Sequence, residues 1–366
     1  MSEVKVVILN WNGYAHLRTF LPSVLRDTPE KVGIVVADNG STDGSAEMLR
    51  AEFPRVEVLL LDRNYGYAGG YNRALACIEA DYYILLNSDV ETSPGWCEPL
   101  IAALDADPRL AAVQPKLRAY GRREYFEYAG ACGGFIDAFG YPFCRGRILF
   151  TTERDEGQYD TFRSCFWASG ACMACRRELF TRVGGFDEEF FAHMEEIDLC
   201  WRAQLVGYRI AVEPASVVYH LGGGTLPNDS PRKIYLNYRN NLWMLYKNLP
   251  AGRLWFTVPL RMAMDGASAL VYLAQGRTDA FRQVWRAHMD FYRNLKVLHT
   301  KRKKIQGEAQ ARPCGIYGKS IVLRYCMGRK VFGDMMCPLP RRFSRLGSDL
   351  ILLPAAGSSK ARTDRA

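Results

Sequence analysis

The stretch YYILLNSDVETSPGW, residues 82–96, decides the fold. Residues 82–86 are apolar or aromatic without a polar break, the pattern of a strand covered on both faces. The run stops on Asn87-Ser88-Asp89 and turns at Pro94-Gly95. A core strand that ends on a carboxylate must deliver that charge to an edge of its sheet.

The same signature occurs three more times upstream. Residues 4–9, 32–37 and 56–61 are short apolar runs, and helical stretches at about 16–26, 45–52 and 70–80 separate the four. Alternating strands and helices predict an α/β fold with a mainly parallel central sheet flanked by helices. Ligands of such sheets bind at the carboxyl ends of the strands. Here those ends read Asn10-Trp11-Asn12-Gly13, then residues 38–43 (DNGSTD), Asp62-Arg63-Asn64 and Asn87-Ser88-Asp89. One such ending would be a turn; four in succession form one binding face. Residues 111–165 read as a less regular region of strands and loops, and 211–220 as a further strand ending on His220.

The chain has 366 residues, 48% hydrophobic and 24% charged, an ordinary globular composition. Its charge is uneven. Residues 1–230 carry 22 Lys and Arg against 32 Asp and Glu, whereas residues 231–366 carry 26 against 7. This predicts an acidic body over 1–230, a helical extension over 231–310 and a basic tail over 311–366. The last dozen residues, AAGSSKARTDRA, read as disordered. The basic third suggests an anionic partner. Nucleic acid is not expected: zinc-finger, RRM-like and helix-turn-helix patterns are absent, and an acidic body repels a phosphate backbone. The start, MSEVKVVILNWNG, lacks the features of a signal peptide, so the expected location is cytoplasmic. No apolar run reaches 18 residues. The nearest, 254–274, is interrupted by Pro259, Arg261 and Asp265; it either lies along a bilayer surface or packs as a soluble helical unit. Eleven cysteines, an odd number without framework spacing, read as reduced and mostly buried thiols. Cys172 and Cys175 form a CxxC without the second pair that zinc needs.

Four motifs carry chemistry. Asp89 at the mouth of a parallel sheet either caps a turn or holds Mg²⁺ or Mn²⁺, which take oxygen ligands and keep waters and substrate phosphates in their shell. Asp38 either closes a turn or accepts the ring N–H of a uracil or thymine base. Residues 64–72, NYGYAGGYN, form a glycine-rich loop in which Gly66, Gly69 and Gly70 let backbone approach a ligand. Their spacing excludes the dinucleotide fingerprint, and no phosphate-binding P-loop is present. In residues 186–202, FDEEFFAHMEEIDLCWR, three carboxylates (Glu195, Glu196, Asp198) open a helix beside His193. Acids there favour the helix dipole, and crowded like charges can also raise a carboxyl pKa toward that of a general base.

Taken in order, VVILNWNG, DNGSTDGS, NYGYAGGYN, LLNSDV, GGFDEEFFAHMEEIDLCWR and VVYHLGGGT resemble the family 2 inverting glycosyltransferases of the GT-A fold, over about residues 3–225. The nearest branch is rhamnosyltransferase-like. The resemblance implies a nucleotide-diphosphate sugar donor (dTDP- or UDP-linked, dTDP-rhamnose included) and a glycan or lipid-linked acceptor in cell-surface polysaccharide synthesis. It implies a nucleotide-sugar site built from Asn10, Asn12, Asp38, Asn64, Gly69, Asn72, Asn87 and Asp89, with Asp38 on the base. Asn87-Ser88-Asp89 stands for the family's D-x-D, with Asn87 in place of the first Asp. Asp89 and His220 would hold the divalent metal, and Glu196 would be the base, with Glu195 as its alternate and Asp198 orienting the helix or acceptor. The enzyme would be peripheral on the inner face of the membrane, with Lys301-Arg302-Lys303-Lys304 and Arg341-Arg342 meeting headgroups. Asn87 leaves room for a catalytically degenerate sugar-nucleotide scaffold.

Overall fold

The computed structural model describes residues 2–222 and 230–336. The first half alternates as expected: β1 (Val4–Asn10), α1 (Tyr14–Asp27), β2 (Gly33–Asp38), α2 (Ser45–Glu52), β3 (Glu57–Leu60), α3 (Gly66–Cys77) and β4 (Tyr82–Asn87). There follow β5 (Val90–Thr92), α4 (Glu98–Ala106), β6 (Leu110–Ala119) and β7 (Arg122–Phe126). Four short strands come next, β8 (Gly134–Asp137), β9 (Pro142–Cys144), β10 (Arg147–Ile148) and β11 (Thr151–Thr152). Then come β12 (Arg163–Cys165), β13 (Cys172–Arg176), α5 (Arg177–Val183), a 3-10 turn (Glu188–Phe190), α6 (Glu195–Leu205) and β14 (Arg209–His220). The C-terminal part comprises α7 (Pro231–Asn248), α8 (Ala251–Ala274), α9 (Thr278–Arg293), α10 (Leu295–Glu308), β15 (Ile316–Tyr317), α11 (Ile321–Cys326) and α12 (Phe332–Met336).

The main sheet runs β12-β14-β6-β13-β4-β1-β2-β3, with β5 on β14 and β7 on β6. Strands β4, β1, β2 and β3 are mutually parallel, and β13 is antiparallel between β4 and β6. Helices cover both faces over two large apolar clusters. Cys172 and Cys175, three apart on β13, fall into opposite clusters, as strand alternation requires. All ten cysteines among the described residues are unpaired, and seven are buried.

Three features differ from the sequence expectation. The glycine-rich stretch is already helical from Gly66, because its glycines let α3 begin against neighbouring chain. A Cβ on Gly66 would stand 2.6 Å from the Phe191 carbonyl oxygen, and one on Gly70 would stand 2.8 Å from Leu9 Cδ2. Residues 110–119 are a long strand of the main sheet, and a second sheet, β11-β10-β9-β8-β15, follows. Its last strand comes from residues 316–317, so the part of the expected tail up to 336 is woven into the fold. The apolar core also continues across residue 230: Leu242, Trp243, Met244 and Leu298 belong to the same cluster as Tyr71 and Leu85. The disordered reading of the last dozen residues, the arginines at 341–342 and residues 223–225 of VVYHLGGGT lie outside the described residues.

Candidate active site

Register places the strand ends side by side. Asn10 pairs with Asp38 across β1 and β2, and Leu9 pairs with Asn87 across β1 and β4. Two residues beyond β4, Asp89 is buried with its Oδ1 3.2 Å from Nε2 of His220. His220 ends β14, held there by pairing with Val90 of β5. The Asn87 amide is 3.5 Å from the same ring nitrogen. On the far side of the ring, Nδ1 is 3.4 Å from Oε1 of Glu127, itself buried. Sequence reasoning missed Glu127; its only signal was a lone acid just after the apolar end of an edge strand.

This sandwich has an electrostatic consequence. Burial alone would drive the His220 proton off, but Glu127 and Asp89 reverse that and push the ring up to about 10. Burial works against the Asp89 charge too, and the imidazolium offsets it, so the carboxyl stays below its ordinary range. Two carboxylates around one imidazolium leave a net negative charge, so a divalent cation that takes the place of the Nε2 proton suits this position. A divalent cation fits the donor set: a carboxylate oxygen, the Asn87 amide and an imidazole nitrogen whose other nitrogen faces a carboxylate, the usual outer support of a metal-bound histidine. Among the described residues no cluster of three His, Cys, Asp or Glu could hold a cation alone. A cation here would draw on substrate phosphate and water for the rest of its shell.

The ends of β1 and β2 form a second group. Asp38 Oδ2 accepts from the Asn10 amide at 3.0 Å, and Oδ1 accepts from the Ser41 backbone N–H at 2.8 Å. The turn geometry is therefore realised, and a base contact would use the remaining lone pairs of the carboxylate. Asn10 Oδ1 is buried without a partner and faces Gly13, where a Cβ would stand 2.3 Å away. Ser88 Oγ is 3.5 Å from that same position, so this group adjoins Asn87-Ser88-Asp89. Asn12, exposed, accepts from the Thr42 N–H at 2.8 Å. Asn64 turns inward instead, accepting from the Gly66 N–H at 2.7 Å and from Asn39 at 3.2 Å. Asn72 is committed to the loop before α6, donating to the Phe186 carbonyl and accepting from its N–H, both at 2.9 Å. The position of a Cβ on Gly69 faces Tyr65 and Arg73. Asn72 and Gly69 thus brace α3 rather than join the cluster around Asp89.

The acid-rich helix start is held at its near side by α3. The Phe191 carbonyl accepts from the N–H groups of Tyr67 and Ala68 at 2.7 and 3.3 Å, and the Tyr67 hydroxyl donates to the Gly170 carbonyl. One residue on, the Ala171 carbonyl accepts from the Asn87 N–H at 3.0 Å, which links this corner to the Asp89 group. Phe191, His193 and Met194 all have positive φ, between 64° and 70°. Such backbone persists only where its surroundings hold it. The holder is α7: the Asn240 amide donates to the carbonyls of Phe190, Ala192 and His193 at 3.0, 2.9 and 2.7 Å, and Arg239 donates to those of Glu189 and Phe190.

Glu195 and Glu196 each keep one buried carboxyl oxygen without a partner. Burial, then the neighbouring Glu196 charge, drives Glu195 well above its ordinary range. Burial pushes Glu196, which is only partly shielded from solvent, up to about 7. Asp198 differs. It is fully buried and accepts from Arg202 at 2.8 Å and Asn248 at 2.7 Å, with Lys247 at 3.0 Å. Burial opposes its charge, but Lys247 and Arg202 more than offset this and keep the carboxyl low. Asp198 is thus an ion-pair anchor of α6, not a reacting group, because both its oxygens are already spent. Burial lowers the His193 ring to about 4, so it is neutral.

The basic run in α10 also needs correcting. Arg302 donates to the Tyr246 and Leu249 carbonyls at 2.6 Å, satisfying the end of α7, and Lys301 pairs with Asp187 and Glu189. Lys303 and Lys304 alone of the four are exposed.

Residues 5–184 match the model of the glycosyl transferase family 2. The chain is similar to that family over its N-terminal half. It is 29% identical over 285 residues to an N-acetylglucosaminyl-diphospho-decaprenol L-rhamnosyltransferase of Mycobacterium tuberculosis, covering 74% of this chain and 92% of the relative. It is also 29% identical over 224 residues to a pre-mycofactocin glycosyltransferase of the same species, covering 60% of this chain but 42% of that one. Among solved structures, TarS 1-349 of S. aureus in complex with UDP-GlcNAc aligns with a TM-score of 0.54 at 16% identity, over 84% of this chain and 89% of that one. GalNAc-T7 with UDP, GalNAc and Mn²⁺ aligns with a TM-score of 0.54 at 20% identity, over 68% and 48%. The fold of this chain is thus the GT-A α/β fold with a helical C-terminal region.

Proposed function

We propose that the enzyme moves a sugar from a nucleoside-diphosphate donor to a hydroxyl of a glycan or lipid-linked acceptor, with inversion, in cell-surface polysaccharide synthesis. The observation that carries this reading is that adjacent strand ends bring Asn10, Asp38 and Asn87 to one edge of the sheet, with Asp89 just beyond facing His220. Asp89 is held ionised beside His220, and Glu196 has a pKa lifted to about 7. An ionised group suits the leaving diphosphate, and a carboxyl poised near neutral pH suits a base.

In this mechanism the nucleotide lies across Asn10, Asn12 and Asp38, with Asp38 accepting from a uracil or thymine ring. Asp89, Asn87 and His220 would hold Mn²⁺ or Mg²⁺, which would neutralise charge on the departing diphosphate. Glu196 takes the acceptor proton as the hydroxyl attacks the anomeric carbon from the opposite face. Glu195, whose burial disfavours its charge, spares Glu196 a second adjacent charge. Positioning and electrostatics supply the rate without a covalent intermediate.

The donor we favour is a deoxyhexose on dTDP or UDP, dTDP-rhamnose first, and the acceptor a polyprenyl-diphosphate-linked sugar. The support is the likeness to the mycobacterial rhamnosyltransferase, which extends over most of both chains. Such an acceptor would place the enzyme in the cytoplasm, against the anionic inner face of the membrane. Purified enzyme, offered a panel of nucleotide sugars and a lipid-diphosphate-linked N-acetylglucosamine, should form product from dTDP-rhamnose with inverted anomeric configuration by NMR. Turnover of another donor alone would refute the rhamnosyl assignment, and a retained configuration would refute the mechanism.

A further inference from the structure

We propose that the outward face of α8, continued by Trp285 and Tyr292 of α9, docks on the plane of an anionic lipid bilayer. This rests on the lipid-linked acceptor reading above and gives it a surface.

The case begins with a helix turned inside out. In an ordinary surface helix the charged side chains face water and the apolar ones face the core. In α8 the mid-helix charges are inside: Arg261 and Asp265 are 5% and 0% exposed and bond to each other at 2.8 Å. Arg261 also donates to Asn241, and His288 of α9 faces the second Asp265 oxygen at 3.6 Å. The two charges that interrupt the apolar run of 254–274 are thus spent on each other against α7 and α9.

What remains outside is apolar. Trp255 is 81% exposed, Phe256 68% and Leu270 62%, and Pro259, Ala263, Ala267 and Val271 are exposed between and beside them at spacings of three and four. The stripe runs the length of α8, about 36 Å for 24 residues. Trp285 of α9 is 62% exposed, and the Tyr292 hydroxyl reaches Met262 Sδ at 3.6 Å, which joins the two helices into one face. Exposed apolar surface of this extent marks an interaction site. No helix among the described residues is long and apolar enough to cross a membrane, so the contact lies in the plane of the interface.

Charge selects the occupant. Residues 251–308 carry eleven Lys and Arg against four Asp and Glu. Of these, Arg253 of α8 and Arg282 and Arg286 of α9 are exposed, whereas Asp279 is the one exposed acid in that span. Cations around an apolar stripe suit anionic headgroups around acyl chains. The same cations would repel a second copy of this chain brought face to face.

The test is flotation of the full chain with vesicles of phosphatidylcholine, with or without phosphatidylglycerol, alongside calorimetry of nucleoside-diphosphate binding. Wild type should float with the anionic vesicles and its tryptophan emission should shift to the blue. Trp255→Ser with Phe256→Ser and Leu270→Ser should bind those vesicles at least tenfold more weakly, with nucleotide binding unchanged. Arg282→Glu with Arg286→Glu should lose the preference for anionic lipid. Wild type that binds nucleotide but neither vesicle would overturn the proposal. So would a dimer in light scattering that the triple variant dissociates, since a second copy would then cover the face. A chain that floats yet binds no nucleoside diphosphate would support the docking surface and refute the transferase reading.

Discussion

At the scale of single residues, the site depends on opposed environments for like groups. Asp89, Glu127, Glu195 and Glu196 are all carboxylates. Those that flank His220 have a cation to face, and those that open α6 have none among the described residues. For Glu196 the sign of the pH dependence follows. The base must be ionised, burial raises its folded pKa to about 7, so activity should fall as pH drops through that value. The acid limb of kcat against pH should bend near 7, and Glu196→Gln should remove transfer while leaving donor binding. A profile flat from pH 5 to 8 would assign the proton elsewhere. Glu127 acts through His220. Glu127→Gln should weaken Mn²⁺ binding, read from the free-ion EPR signal with no turnover needed, by about 10- to 100-fold. An unchanged affinity would reduce Glu127 to a packing role.

At the scale of elements, the loop of residues 187–194 joins what the sequence separates. It is pinched between the start of α3, which follows the third strand of the nucleotide face, and α7 in the C-terminal region. Three non-glycine residues with positive φ cost of order 1–3 kcal/mol each. Asn240 holds that shape by spanning three carbonyls. Asn240→Ala should lower kcat by about 100-fold, because a misplacement of the base near 1 Å costs that much, while KM for the donor stays within a few-fold. A parallel loss of donor affinity would instead mean that the whole corner has collapsed. The strands around this site were legible, because both faces of a parallel sheet are covered and each strand becomes a continuous apolar run. The clamp was not. Asn240 lies 47 to 50 residues from the carbonyls it holds, on a helix whose pattern only says that one side is buried. Glu127 was illegible for a like reason: no period connects an edge-strand acid with a histidine over 90 positions later.

At the scale of the whole molecule, the charge asymmetry of the sequence takes on a second meaning. Part of the basic excess does not face outward at all. Lys247, completely buried, bridges Asp187 and Asp198 at 2.5 and 3.0 Å, and Lys301 closes on Asp187 from α10. The acidic body and the basic region therefore neutralise each other at their seam, where Arg202 and Asn248 complete the network. Breaking a buried pair strands a charge, so Lys247→Ala should destabilise the chain by about 3–5 kcal/mol in urea unfolding. The loss should be shared by a single cooperative transition, since one apolar cluster spans both regions. Two separate transitions would show that they fold independently. Composition alone revealed the asymmetry but could not divide cations between this seam and the outer surface, because that division depends on which face of each helix meets the core.

The central claim is that the sheet ends on Asp89 in order to hold a nucleoside diphosphate. Isothermal calorimetry of UDP, dTDP, GDP and ADP, with and without Mn²⁺, on wild type and Asp89→Ala, tests it most directly. Mn²⁺-dependent binding of UDP or dTDP that disappears in Asp89→Ala is the predicted result. Binding that survives the substitution would contradict the role of Asp89. No diphosphate binding under any metal condition would contradict the transferase itself and favour the scaffold that Asn87 first suggested.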